Sequence, residues 1–170
     1  HNVYLNDISP DGKKLLCSTS KPDITRCPFS LSSLFEIDLA TLQADKMVAW
    51  DAYLGSASYS PDGKQLLVTG SPSAFGGIGK NCGEHPIAND FDTQAFIMDL
   101  ATKKVQAITR DFNPTVSPVQ WNRVDGCIYF DTTDGDCRHI YRYVPKTGGF
   151  EMLPLEEDVI TSFTLADDNP

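Results

Sequence analysis

Phe35, Phe96, Trp121, Tyr129, Phe130 and Tyr141 all sit in short runs where apolar and polar positions alternate. Period two is the mark of strands buried on one face. These aromatics are therefore expected to pack between sheets, some of them lining a central channel. The runs KKLLCSTS (13–20) and KQLLVTGS (64–71) read as strands, and no stretch sustains a helical period.

The strands are organised by repeats. ISPDGKKLL (8–16) returns as YSPDGKQLL (59–67). In each copy the proline presets the first corner of a type I turn, the aspartate suits the second, and the glycine accepts the left-handed conformation that closes a short hairpin with a bulge. A second hairpin follows: SLFEIDLATLQADKMVAW (33–50) is echoed by QAFIMDLATKKVQAITRD (94–111), with DLAT shared at Asp38–Thr41 and Asp99–Thr102. A third, more divergent copy runs from VQWNRVDGCIYF (119–130), whose turn at Asp125–Gly126 has one extra residue, to HIYRYVPKTGGFEMLP (139–154), turning over Lys146–Gly149. SFTLADDN (162–169) opens a fourth, with Asp168 and Asn169 at the turn positions; asparagine tolerates the left-handed conformation.

Each unit thus reads strand, tight turn, strand, variable loop, strand, turn, strand. Four antiparallel strands repeated at this spacing predict an all-β protein built of β-propeller blades. The expected units are about 1–52, 53–114 and 115–158, with the next beginning at 159–170. An antiparallel sandwich has a similar strand pattern, but SPDG and DLAT returning in the same order favour blades. Three blades are too few to close a ring, so a partial propeller, an excerpt of a larger one, is expected.

Composition narrows the function. The chain is 41% hydrophobic and 22% charged, as globular domains are. With 14 Lys+Arg against 23 Asp+Glu the net charge is −9, which disfavours nucleic-acid phosphates and anionic lipid. No apolar run reaches the length of a membrane span. Cys17, Cys27, Cys82, Cys127 and Cys137 lean towards an oxidising, periplasmic or secreted location, and their odd number leaves at least one thiol without an internal partner.

YSPDGKQLL, FIMDLATKKVQAITRD and SPVQWNRVDGCIYFDTTDGDCRHIYRY together resemble the N-terminal propeller of the prolyl oligopeptidase family of serine peptidases, in particular its dipeptidyl-peptidase and acylaminoacyl-peptidase branches. The likeness covers nearly the whole chain, although the SPDG hairpin is shared with TolB-type propellers. It implies a propeller that caps a separate α/β-hydrolase domain and filters the peptides reaching its catalytic serine. The partners implied are that hydrolase domain and a peptide substrate. The alternative is a non-catalytic TolB-like propeller with a protein or glycan partner.

The chain itself is not expected to catalyse. A nucleophile elbow needs G-x-S-x-G; LGSASYS (54–60) lacks the second glycine, and His1, His85 and His139 have no triad companions. FGGIGKN (75–81) lacks the first glycine and the Ser/Thr of a phosphate loop, with Ala74 and Asn81 at those places, and reads as a flexible glycine-rich loop. DTTDGDC (131–137) would need Asp or Asn at Thr133 and Glu at Arg142 to hold calcium, and reads as a polar loop. Cys82 with His85, and Cys137 with His139, are half-sites lacking a second pair, so neither a metal nor another cofactor is expected.

Most of the functional expectation falls on GSPSAFGGIGKNCGEHPIANDFDT (70–93), much longer than a hairpin needs. Lys80, Glu84, His85, Asp90 and Asp92 are its candidates for recognising a charged peptide terminus or a partner. In a propeller this loop should lie beside residues 18–32 and 131–138.

Overall fold

The computed structural model describes residues 2–83, 90–112, 115–156 and 159–166. The chain forms two compact units, His1–Arg110 and Asp111–Pro170. The first holds two four-stranded sheets. One is β1 (Asn2–Ile8), β2 (Lys14–Pro22), β3 (Ser30–Asp38) and β4 (Ala44–Asp51); the other is β5 (Leu54–Tyr59), β6 (Gln65–Gly70), β7 (Gln94–Asp99) and β8 (Val105–Ala107). The second unit holds β9 (Thr115–Trp121), β10 (Ile128–Asp134), β11 (Cys137–Val144) and β12 (Gly149–Met152). Every sheet is antiparallel, with strands in chain order. Among the described residues the helical content is the short segment α1 (Ala74–Gly77), within which Phe75 and Gly76 have positive φ. The architecture is that of open, partial propeller blades.

The repeats in sequence are repeats in hydrogen bonding. Gly12 N donates to Ser9 O at 2.8 Å and Gly63 N to Ser60 O at 2.9 Å, with φ of 71° and 68° at the two glycines. The serine hydroxyl before each proline donates to the turn aspartate at 2.7 Å and accepts from the first amide of the next strand at 2.9 Å. In each DLAT hairpin the aspartate accepts from the threonine two residues after its leucine, through that threonine's amide at 2.8 Å. Each hairpin then closes with a non-glycine residue in the left-handed region, Leu42 or Lys103. In the third copy Asn122 stands in for the serine. Its side-chain oxygen accepts from Val124 N at 2.6 Å and Asp125 N at 3.2 Å, which absorbs the extra residue.

The core of the first unit lies between its two sheets. Leu16, Leu34 and Met47 from the first meet Tyr59, Leu66, Val68, Phe96 and Met98 from the second, all buried. Full burial of Phe96 alone stabilises by roughly 1.5–3 kcal/mol. In the second unit Phe112, Phe130, Tyr141 and Phe150 form one aromatic cluster, with Phe112 stacked on Phe150 at 4.8 Å and edge-on to Phe130 at 5.3 Å. Phe35, Trp121, Tyr129 and Tyr141 are half-buried rather than core residues.

Three local expectations change. Residues 131–137 are not a loop: β10 and β11 run through them, pairing Asp131 with Ile140 and Asp134 with Cys137, and only Gly135 and Asp136 link the strands. Thr132 and Thr133, β-branched, favour the ladder. The glycine-rich stretch at 75–81 is anchored at Gly79, which is buried, while Gly76, Ile78, Lys80 and Asn81 are exposed. Residues 161–166 carry no ladder; the turn that would return a partner strand, at Asp168 and Asn169, lies outside the described residues. None of the five cysteines is in a disulfide.

Candidate functional site

The sheets of the first unit have two dissimilar ends. At one, the SPDG and DLAT turns spend their polar groups on each other: Leu39 N donates to Lys13 O at 2.9 Å and Leu100 N to Lys64 O at 3.0 Å. Between the two SPDG turns a small cavity of about 240 Å³ is floored by Glu36 and Tyr59. Buried Glu36 accepts from Tyr59 Oη at 3.0 Å and from Lys14 Nζ at 2.7 Å, while Asp7 accepts from Tyr59 N at 2.8 Å. Burial, then the neighbouring Glu36 charge, pushes the Tyr59 phenol well above its ordinary value; the bond to Glu36 raises Lys14. Every group in this clasp has a partner, and it joins the two sheets.

The other end is open. The β2–β3 and β6–β7 connections and the β4–β5 link enclose a cavity of about 610 Å³, a size that suits a ligand. Its walls are mostly apolar, with Pro28 from one loop, Tyr53 and Leu54 from the link, and Phe91 from the other loop. Asp90, Asp92, Thr69, Ser71 and Thr93 supply polar groups, and among the described residues no Lys, Arg or His lines it.

Asp51 builds the frame of this end. Its carboxylate accepts from Tyr53 N and Phe75 N, each at 2.8 Å, tying the β4–β5 link to the start of the long loop. The tie holds Phe75 at φ 54°, a conformation unfavourable for a residue with a Cβ, while its ring packs on Phe96 at 5.2 Å. At Gly79 the chain passes so close to β7 that a Cβ would stand 2.3 Å from Gln94 Oε1 and 3.1 Å from the Phe96 ring and from Pro72 O, so a side chain there would displace Gln94 and crowd its other neighbours. Asp51 and Ser71 carry the site's geometry and were not singled out from sequence. A lone Asp after a tryptophan and a serine in a polar loop give no pattern to read.

Of the sequence candidates, Asp90 and Asp92 line the cavity, Asp90 accepting from Ser71 Oγ at 3.2 Å. Lys80 does not join them. Its side chain lies over Gly77, and its carbonyl accepts from Arg110 Nε at 3.2 Å. Glu84 and His85 lie outside the described residues, and with them the Cys82–His85 pair. Residues 27–28 and 90–93 do share one cavity, as adjacent loops should; 131–138 belongs to the second compact unit. Cys137 and His139 lie on one face of β11, opposite Asp134 and Thr132. Among the described residues no three His, Cys, Asp or Glu side chains converge as metal ligands. No described helix is long and apolar enough to cross a membrane.

An open pair of blades with an apolar, acid-lipped cavity at its loop end defines the class: an open, partial β-propeller. Known structures agree on the fold. TolB from Acinetobacter baumannii is similar over 93% of this chain and 33% of its own, with a TM-score of 0.63 and 21% identity. The β-propeller domain of the Trilobed protease from Pyrococcus furiosus, described as having an open velcro topology, matches 91% of this chain and 44% of its own (TM-score 0.59, 14% identity). Pyrococcus horikoshii acylaminoacyl peptidase matches 90% of this chain and 25% of its own (TM-score 0.56, 18% identity). The chain therefore spans less than half the length of each, and its fold is shared with TolB-like and peptidase-family propeller domains. No protein-family model and no curated protein matches it.

Proposed function

We propose that this chain is the docking and substrate-access part of the propeller of an exported serine peptidase of the prolyl oligopeptidase family, in which a separate α/β-hydrolase domain cleaves short peptides. The single observation that carries the reading is the asymmetry of the first unit: one end is closed by self-satisfied turns, and the other presents a cavity among long loops. Likeness to the Trilobed protease and acylaminoacyl peptidase propellers supports the peptidase side. Periplasmic or secreted location belongs to this reading and rests on the TolB likeness. The second reading, a non-catalytic propeller docking a protein or glycan, is favoured by the TM-score of 0.63 to TolB.

The mechanism assigned to this chain is selection. The cavity holds part of an incoming peptide, its apolar walls exclude water, and the hydrolase domain supplies nucleophile, base and oxyanion hole. Turnover of dipeptidyl and acylated-peptide reporters tests this: the pure chain should show none, and joining it to its hydrolase domain should give activity whose selectivity changes when residues 74–88 are deleted. Unchanged selectivity and domain association after that deletion would reject the gating role.

A further inference from the structure

We propose that the loop-end cavity of the first unit docks a lysine or arginine side chain carried within an apolar peptide segment; the inference rests on the docking reading above and names what is docked. The charge argument is direct. Two carboxylates, Asp90 and Asp92, line the cavity, and among the described residues no cationic side chain does. Two neighbouring cations are engaged elsewhere, Arg26 Nε with Asp23 at 3.3 Å and Lys21 over the Trp50 ring at 4.2 Å, and Lys80 does not line the cavity. Asp90 accepts one hydrogen bond from Ser71, and a carboxylate has room for several. A long basic side chain matches this lining in both of its parts, its aliphatic stem along Tyr53, Leu54 and Pro28 and its charged head at the two aspartates.

The rim gives the rest of the ligand. Large apolar side chains stand in solvent on the two loops that supply the walls: Ile24 is 86% and Phe29 65% exposed on one, and Phe91 is fully exposed on the other. Apolar groups gathered at loop tips around a cavity mark a protein-binding surface. Phe91 lines the cavity, and Phe29 adjoins the lining Pro28 on the other loop, so both loops offer apolar side chains to a segment laid across the cavity. A chain terminus would extend to only one of them. This favours an internal side chain over a terminal ammonium as the source of the cation. An anionic ligand would face the two carboxylates.

The test is fluorescence anisotropy with the full chain and labelled heptapeptides, N-acetylated and C-amidated, whose flanks are leucine and valine and whose central residue is Lys, Arg, norleucine or Glu. Lys and Arg peptides should bind at least about tenfold more tightly than norleucine, the gain expected of charge-assisted hydrogen bonds. Glu should bind most weakly, and the preference should shrink between 50 mM and 0.5 M NaCl. In the Asp90→Asn/Asp92→Asn double variant the Lys peptide should fall to the norleucine level while norleucine binding holds; Asp45→Asn on β4 should change nothing. Equal binding of Lys and norleucine, a preference indifferent to salt, or a preference surviving in the double variant overturns the proposal and leaves peptide docking standing. Failure of every peptide to bind removes both. The salt series on the unmodified chain decides the matter even if the double variant does not fold.

Discussion

Alanine at Gly63 should destabilise the protein more than alanine at Gly12, although the two glycines occupy the same place in the same motif. Both have φ near 70°, where a side chain costs about 1 kcal/mol or somewhat more. At Gly12 an added Cβ meets nothing within 4 Å, so the backbone term is the whole effect. At Gly63 the Cβ would stand 3.3 Å from Pro10 Cδ and 3.7 Å from Cγ, because the second SPDG turn lies against the first. Proline's ring cannot rotate away, so the turns must separate slightly, adding some tenths of a kcal/mol to about 1 kcal/mol in overpacking cost. The expected losses are about 1 kcal/mol for Gly12→Ala and about 1.5–2 kcal/mol for Gly63→Ala. Urea unfolding followed by circular dichroism measures both; the midpoint should fall with an unchanged slope. Asparagine at either position should lose less than alanine, since it tolerates the left-handed region. If Gly12→Ala costs as much as Gly63→Ala, the two turns are not packed side by side and the pairing of the first two sheets is wrong.

Tyr59→Phe removes one of two side-chain hydrogen bonds to buried Glu36 and should cost about 1.5–3 kcal/mol in the same assay, the range for a bond to a charged group; a neutral result would mean the clasp is open in solution. Asp51→Ala frees two amides and should cost about 1–3 kcal/mol while making residues 75–80 the first site of limited proteolysis; cleavage elsewhere first would argue against Asp51 as the frame. Hydrogen bonds from the turn hydroxyls and amides hold Asp11, Asp38, Asp62 and Asp99 below the ordinary aspartate value. A depressed folded-state pKa means stability is in full above the unfolded value, near pH 4. It should fall as pH drops through the lower folded values, and a flat pH–Tm profile between pH 5 and pH 2 would contradict this.

The fold was legible because its signals are local. A proline, an aspartate and a glycine in fixed order specify a turn wherever they occur, and two near-identical copies specify equivalent hairpins without any knowledge of tertiary contacts. The third turn was readable from Asp125 and Gly126 even with an added residue, because Asn122 substitutes chemically for serine. What escaped was mostly non-local. The left-handed Leu42 and Lys103 are a local exception, set by hairpin closure rather than residue type. The Glu36–Tyr59 bond and the reach of Asp51 to Phe75 join residues 23 and 24 positions apart. Length drew attention to the 70–93 loop, and Asp90 and Asp92 line a cavity; Lys80 was separated from them by the fold at Gly77–Gly79, which periodicity and composition do not encode. At 131–137 clustered carboxylates suggested a loop, but Thr132 and Thr133, just before a two-residue link, pair with His139 and Arg138 as strands.

The central claim is that the open loop end of the first unit, not the turn end, receives a peptide. Photo-cross-linking tests it most directly: a short apolar peptide bearing a benzophenone and one lysine is irradiated with the chain, and the modified residues are read by mass spectrometry. Adducts at residues 27–28, 52–55 and 90–93, competed away by unlabelled peptide, are the predicted result. Competed adducts confined to residues 9–14 and 59–63 at the turn end, or adducts that no competitor removes, would contradict the account.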